Sequence, residues 1–152
     1  MRTTFLAVTI IALTACSDAP AVNDDQPQVQ DTIAAAEAAY DEAVFDTIQW
    51  ASDSAAVERG AQVWQVACQE CHGPEGRGGT NYVNERGDTL HPPAFTAPDW
   101  QLANNPTAIH RKVYVGNTLG MPHWGLRRMT PRDIDAVTRY ALRLHERAQT
   151  NR

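Results

Sequence analysis

Apolar residues recur at helical spacing between residues 31 and 50, in a stretch rich in alanine. The positions are seven and four residues apart, with one aromatic residue beside them: Ile33, Tyr40, Val44 and Ile48, flanked by Phe45. This spacing predicts an amphipathic helix with a narrow apolar stripe. Two interpretations are open, because the stripe alone does not say what it contacts. The helix either caps a globular domain or serves as a docking helix for a partner.

Two further helices are predicted in the second half of the chain, at 106–115 and 131–147. The later helix has clear signals at its start, with Thr130 as N-cap, Pro131 as the first helical residue and Asp133 as the N3 partner of a capping box. Met129 and Ile134 then occupy the positions of a hydrophobic staple. Its apolar stripe consists of Ile134, Val137, Ala141 and Leu144.

The first residues have the pattern of an export signal. Arg2 precedes an eleven-residue apolar stretch, 5–15, which is too short to span a bilayer but suits the core of a signal peptide. The stretch ends in Leu13-Thr14-Ala15-Cys16, which resembles the bacterial lipobox, so Cys16 is the expected lipidation site. The alternative is an ordinary secretory signal cut near Ala15. Ser17 favours the outer membrane in a diderm host, with the protein anchored by lipid on the periplasmic side.

Charge divides the chain into two parts. Residues 18–58 carry ten acidic and no basic side chains, whereas 59–152 carry twelve basic and eight acidic ones. The 152-residue length and overall charge of −5 suit one domain with a tail, and exclude a multidomain enzyme or a polytopic membrane protein. A surplus of four cations is too weak to indicate nucleic acid. The predicted parts are a signal peptide (1–15), an acidic tether with the amphipathic helix (16–51), a globular domain (52–148) and a tail (149–152).

The segment Cys68-Gln69-Glu70-Cys71-His72 is the C-x-x-C-H motif of covalent c-type haem attachment. Two thiols three positions apart can each add to a vinyl group on the same porphyrin edge. The adjacent imidazole can then bind the iron as proximal ligand. The motif therefore predicts one haem c, bound through Cys68 and Cys71 and ligated by His72.

A pair of cysteines at this spacing has three other possible uses. A thioredoxin-like site would need a βαβ pattern, which the sequence lacks. A zinc site would need a second pair of ligands, yet the chain has only one further cysteine, Cys16. A disulfide between Cys68 and Cys71 would leave His72 without a role. Haem attachment uses all three residues and leaves Cys16 for the lipid.

Residues 52–148 resemble class I cytochrome c. The resemblance rests on three blocks: 58–64 leading into the haem motif and 72–79 after it, 113–122, and the last helix from Pro131. It implies an all-α fold with a few helices around one covalently bound haem, to which the helix at 31–50 is an addition. Gly60 matches the small residue at which the first and last helices of the family cross, and Tyr140 would be its aromatic neighbour.

The resemblance also implies a second axial ligand, because this family supplies a distal Met from the loop that here contains Leu119-Gly120-Met121-Pro122. Met121 is therefore the expected sixth ligand of the iron. The other residues considered were Met129, His91, His110, His123, His145 and Lys112. His110 and His145 are expected on solvated helix faces and His91 in a loop. His123 is expected to be a partly exposed loop residue.

Further roles follow from the resemblance. In this family a proline carbonyl accepts the free ring N–H of the proximal His, and Pro93 is preferred here over Pro92. Trp100 is expected either to donate to a haem propionate or to be buried in the haem pocket. Trp124 is expected to pack under the Met loop or to lie near the exposed haem edge.

The resulting functional hypothesis is an extracytoplasmic electron-transfer protein that is not an enzyme. Its partners would be redox proteins, an electron donor and an acceptor, and it would contact the membrane only through its lipid. A cationic rim of Arg111, Lys112, Arg127 and Arg128 would guide an acidic partner. One alternative is a haem subunit permanently bound to a periplasmic dehydrogenase or terminal oxidase. Another is a gas-binding or peroxidatic haem protein.

Overall fold

The computed structural model describes residues 29–79, 81–84 and 87–151, so the predicted signal peptide and Cys16 lie outside the described residues. Within these ranges the chain forms helices and no strand, apart from one isolated bridge between Val83 and Thr89. The helices are α1 (Val29–Ala39), α2 (Ala43–Asp46), α3 (Asp53–Ala67), α4 (Gln69–His72), α5 (Pro106–Val115) and α6 (Pro131–Thr150). The all-α prediction is confirmed. None of these described helices is long and apolar enough to cross a membrane.

The core forms where α3 crosses α6. A Cβ atom on Gly60 would lie 2.7 Å from Tyr140 Cβ and would overlap the Ala136 carbonyl, so only glycine permits the contact. The close approach predicted for Gly60 and Tyr140 is therefore present. Around the crossing, one apolar cluster joins the two helices with α2 and α5: Phe45, Val63, Trp64, Ile109, Val113, Ile134, Val137, Ala141 and Leu144.

The ends of α5 and α6 follow local sequence signals. The Thr130 hydroxyl accepts from the Asp133 amide at 3.1 Å, as the capping prediction requires, and α5 has its predicted bounds. α6 continues to Thr150, whereas the predicted helix ended at residue 147 and residues 149–152 were assigned to a tail. The additional residues of α6 are stabilised in part by a hydrogen bond that the Gln149 side chain donates to the Thr96 carbonyl at 3.1 Å.

The single helix predicted over 31–50 is wrong, because the structure contains two helices there. α1 ends at Ala39, and the Asp41 carboxylate accepts from the Ala43 amide at 3.0 Å. A side chain that bonds a nearby backbone amide competes with helix continuation and favours a turn. We call residues 29–50 the N-terminal strap.

The strap packs on its own domain, which supports the capping interpretation. Phe45 is buried, and its ring stacks on His110 with 4.2 Å between centroids. The Tyr114 hydroxyl donates to the Ala39 carbonyl at 3.2 Å, and Glu37 forms an ion pair with Arg111. Both helices of the strap are thereby held against α5 and α6.

A buried carboxylate joins the strap to these two helices. Asp135 Oδ2 accepts from Trp50 Nε1 at 2.7 Å and from Arg139 Nε at 2.8 Å, while Oδ1 lies 3.2 Å from His110 Nε2. The prediction that His110 lies on a solvated face is therefore wrong, since only 7% of this residue is exposed. The strap covers the face of α5 that carries His110.

The pKa of Asp135 reflects this network. Burial alone would raise it, but hydrogen bonds from His110, Arg139 and Trp50 outweigh burial and lower the pKa to about 2 from 3.8. A lowered folded-state pKa contributes stability above the unfolded-state value, and this contribution is lost as pH falls through about 2. The shift corresponds to about 2 kcal/mol.

We expect Asp135→Asn to lower the free energy of unfolding by about 2 kcal/mol at pH 7. The difference from wild type should shrink as pH falls from about 4 toward 2, because the wild-type carboxyl then becomes neutral as well. Denaturant unfolding of both proteins at several pH values measures this difference in the free energy of unfolding. Asp99→Asn, an exposed carboxylate in a loop, is the matched control and should change little. A difference between Asp135→Asn and wild type that is independent of pH would contradict this account.

Candidate functional site

The C-x-x-C-H segment lies at the end of α3 and in the single turn of α4. The Cys68 amide closes α3 by donating to the Trp64 carbonyl at 2.9 Å, and the His72 amide donates to the Cys68 carbonyl at 3.0 Å. This tight turn presents both thiols and the imidazole to one cavity, whose lining includes Cys68, Cys71 and His72. The sequence prediction that these three residues act together agrees with this placement.

The cavity has a volume of about 650 Å³ and a mainly apolar wall. Its wall is formed by the end of α3, by α4, by the loop before α5, by α5 itself and by the Met loop (residues 117–122). Besides the motif, the predicted residues Pro93, Trp100, Met121 and Trp124 all line it. A pocket in the size range of cofactor sites, with few polar groups, suits a large flat apolar ligand.

Neither cysteine of the motif forms a disulfide. Burial, with a contribution from Cys71, raises the pKa of Cys68 to about 12. A redox-active thiol of the thioredoxin type has a lowered pKa instead. In the described part of the chain, no group of three His, Cys, Asp or Glu residues could hold a metal ion. The described residues thus give no support to the thioredoxin, disulfide and zinc alternatives.

His72 is held between aromatic rings. Its ring stacks on Phe95 at 4.8 Å between centroids, and the Trp64 ring lies 5.9 Å away. Burial lowers the pKa of His72 to about 4, and the Pro93 backbone partly opposes this effect. The imidazole is therefore neutral at pH 7, which is the form that binds a metal ion.

The Pro93 carbonyl is close enough to His72 to influence its pKa, yet His72 Nδ1 has no partner of hydrogen-bond geometry among the described residues. An unpartnered ring nitrogen in a buried site is costly. A hydrogen bond from this nitrogen to the Pro93 carbonyl would satisfy it. The role of Pro93 as the acceptor for the proximal ligand stays a prediction, with its carbonyl placed beside the correct residue.

The glycine-rich loop after the motif brings Phe95 to the imidazole. Gly78 has φ +65°, and a Cβ atom there would lie 2.5 Å from the Pro92 carbonyl oxygen, so this close approach requires glycine. The Phe95 amide donates to the Gly76 carbonyl at 2.8 Å, and Trp64 Nε1 donates to the Gly73 carbonyl at 3.1 Å. Neither Trp64 nor Phe95 is among the residues predicted from the sequence, although Trp64 shortly precedes Cys68 and Phe95 shortly follows Pro93.

Asn117 orders the Met loop. Its side-chain oxygen accepts from the backbone N–H of Leu119 at 2.9 Å and from that of Met121 at 3.2 Å. The backbone N–H of Asn117 donates to the Met121 carbonyl at 3.0 Å. Met121 is partly buried and lines the same cavity as His72. Asn117 is not among the residues predicted from the sequence, although its position directly after Gly116 is a turn signal.

The remaining candidate residues either pack against neighbouring side chains or line the cavity. Trp100 lies 4.8 Å from Phe95 and 5.6 Å from His145 between ring centroids, which agrees with burial in the pocket. The prediction that His145 lies on a solvated face is wrong, since its Nδ1 is 2.7 Å from the Phe95 carbonyl and the side chain is partly buried. His91 lies in a loop, as predicted, on the cavity wall.

Comparison with known proteins agrees with this site. A family model described as cytochrome c oxidase, cbb3-type, subunit III matches residues 55–140, which is more than half of the chain. The chain therefore belongs to the cytochrome c family, and its domain is of the monohaem type. No curated protein and no solved structure gives a match.

Family membership implies a covalently bound c-type haem, for which Cys68 and Cys71 are present. The residues of the cavity fit this group, because two cysteines outside any disulfide, a partly buried neutral imidazole and a mainly apolar wall share one space. Domains of this family mainly carry electrons between redox partners. A haem c electron-transfer function is accordingly indicated.

Proposed function

We propose that this protein carries single electrons between redox proteins outside the cytoplasm, with His72 and Met121 as the axial ligands of its haem iron. The observation that supports the proposal is the shared cavity. His72 and Met121 both line it, together with the two thiols that attach the haem. A thioether opposite an imidazole is the ligand pair that raises the reduction potential of c-type haems.

When bound, the haem supplies a one-electron iron couple, and the residues of the chain set the conditions for it. Cys68 and Cys71 hold it covalently. Burial keeps His72 neutral and able to bind iron, and the Asn117 hydrogen bonds hold the Met121 backbone in place. The apolar wall keeps water away from the haem, so that little solvent has to reorganise when the charge of the iron changes. Such a site needs neither a catalytic base nor a substrate pocket.

The proposed docking surface is the rim of the cavity. Lys112 is exposed and lines the cavity, and Arg127 and Arg128 are exposed further along the chain. Arg111 is less available to a partner protein than the sequence suggested, because it forms an ion pair with Glu37 of the strap. Leu119, which is 77% exposed, adds an apolar contact beside the cavity. An acidic partner surface would complement this rim.

The second candidate function is that of a haem subunit permanently bound to an oxidase. It is favoured by the description of the matching family, which names a subunit of a cbb3-type oxidase. The strap gives this function no support, since the apolar side of the strap faces its own domain. Purification of the native protein distinguishes the two, because a permanent subunit would co-purify in fixed stoichiometry.

We also propose that Cys16 carries the lipid anchor, which would hold the haem domain on the periplasmic side by the tether. This proposal rests on the Leu13-Thr14-Ala15-Cys16 segment. The outer membrane is the favoured location in a diderm host, because Ser17 follows the cysteine.

Met121→Ala should lower the reduction potential and open the sixth coordination position to carbon monoxide, since no thioether would remain to hold it. Potentiometric titration with visible spectra, followed by addition of carbon monoxide to the reduced protein, measures both effects. Met129→Ala is the control, because Met129 packs at the start of α6. A Met121→Ala protein with wild-type potential and spectrum would assign the ligand to another residue.

Replacing Lys112, Arg127 and Arg128 by glutamine should slow electron transfer to the natural partner about tenfold at low ionic strength, because steering by charge is lost. At high salt the rates of variant and wild type should converge. Stopped-flow kinetics against salt concentration provides the measurement. Arg147→Gln, at the exposed far end of α6, should behave as wild type. Equal slowing at both salt concentrations would contradict a steering role.

Cys16→Ser should release the haem protein from the membrane fraction, because it removes the thiol that receives the lipid. Fractionation of cells followed by haem staining reports the distribution. Ser17→Ala leaves the thiol in place and should remain membrane-bound. A Cys16→Ser protein that stays with the membranes to the same extent would rule out this anchor.

A further inference from the structure

The last turns of α6 contact the segment 93–96, which lies in the loop before α5. His145 and Gln149 make this contact, and residues four positions apart lie on the same side of a helix. Both side chains are partly buried. They follow residues 55–140, the region that the family model matches, so the match assigns them no role.

Each of these two side chains bonds to a backbone carbonyl of the segment. His145 Nδ1 lies 2.7 Å from the Phe95 carbonyl oxygen. A carbonyl oxygen can only accept a hydrogen bond, so Nδ1 carries a proton and is the donor. Gln149 Nε2 donates to the next carbonyl, that of Thr96, at 3.1 Å. Two adjacent carbonyls are thus bound to one face of α6, and we call His145 and Gln149 the α6 donor pair.

The same segment also contacts His72. The Phe95 ring stacks on the imidazole with 4.8 Å between centroids, and the Pro93 carbonyl lies close enough to influence the pKa of His72. The Trp100 ring packs on Phe95 at 4.8 Å and on His145 at 5.6 Å between centroids. The segment therefore connects α6 with the residue that would bind the iron.

Regular backbone hydrogen bonds do not fix this segment. Residues 91–105, all of which the structure describes, form neither helix nor strand. Pro92 and Pro93 have no backbone N–H to donate. The Phe95 amide donates to the Gly76 carbonyl at 2.8 Å, which joins the segment to the glycine-rich loop. The α6 donor pair adds the two side-chain hydrogen bonds that join it to α6.

We propose that His145 and Gln149 are positioning residues for the proximal ligand of the haem. They hold the segment 93–96 on α6, and the segment in turn holds the Phe95 ring against the imidazole of His72. Neither member of the pair lines the haem cavity, so each acts on the site only through this segment. The inference rests on the proposed ligation of the iron by His72.

Hydrogen exchange of the His72 Nδ1–H, followed by NMR of the reduced holoprotein, tests this role. His145→Phe keeps an aromatic ring beside Trp100 but lacks the donor. We expect exchange to become about tenfold faster, because one hydrogen bond no longer opposes local opening of the segment. His145→Asn lacks the ring but places an amide nitrogen near the position of Nδ1, so its exchange rate should stay within about twofold of wild type.

Two further variants and an internal reference separate positioning from a general loss of stability. Gln149→Met keeps the length of the side chain without its amide and should accelerate exchange about fivefold. Arg147→Gln changes an exposed residue between the two donors and should match wild type. The buried Val137 of α6 supplies the reference, because a general loss of stability would accelerate exchange of its amide as well. Positioning predicts faster exchange at His72 with little change at Val137.

In the oxidised holoprotein, the hyperfine-shifted resonances of the His72 ring report its orientation at the iron. They should move in His145→Phe and return toward wild type in His145→Asn. Unchanged exchange and resonances in both His145→Phe and Gln149→Met would overturn the proposal, as would equal acceleration at His72 and Val137. A His145→Asn protein that behaves like His145→Phe would also overturn it. Failure of the ligation itself is distinguishable, since the wild-type protein would then lack shifted His72 resonances.

Discussion

The contact between the backbones of α3 and α6 at Gly60 determines where the haem-binding motif lies. α3 ends where Cys68 begins the motif, so the crossing point sets the position of both thiols and of His72. α5 packs on α6 and leads into the Met loop. A larger residue at position 60 would separate the helices and shift the His72 wall of the cavity relative to the Met121 wall. The placement of His72 relative to Met121 thus depends on one glycine.

α5 separates two environments of different character. Ile109 and Val113 face the mainly apolar haem cavity, whereas His110 faces the strap and the Asp135 network. The exposed cations near the haem cavity contrast with Glu42 and Asp46 on the strap side.

The sequence predicted features that depend on local signals. The C-x-x-C-H motif, the bounds of α5 and the cap of α6 all follow from neighbouring residues, and the structure agrees with them. His110 and His145 were placed wrongly because their burial comes from distant segments, the strap and the loop around Phe95. At the division of the strap into two helices, the Asp41 carboxylate accepts a hydrogen bond from the Ala43 amide, a local contact that competes with an otherwise helical pattern.

The central claim is that His72 and Met121 together hold the haem iron in a protein that carries electrons. A redox titration of the purified wild-type holoprotein, followed by visible absorption and completed by adding carbon monoxide to the reduced form, tests it most directly. The account predicts low-spin spectra in both oxidation states, a positive potential and no shift with carbon monoxide. A high-spin spectrum or rapid carbon monoxide binding would contradict it and would indicate an open sixth position suited to sensing or catalysis.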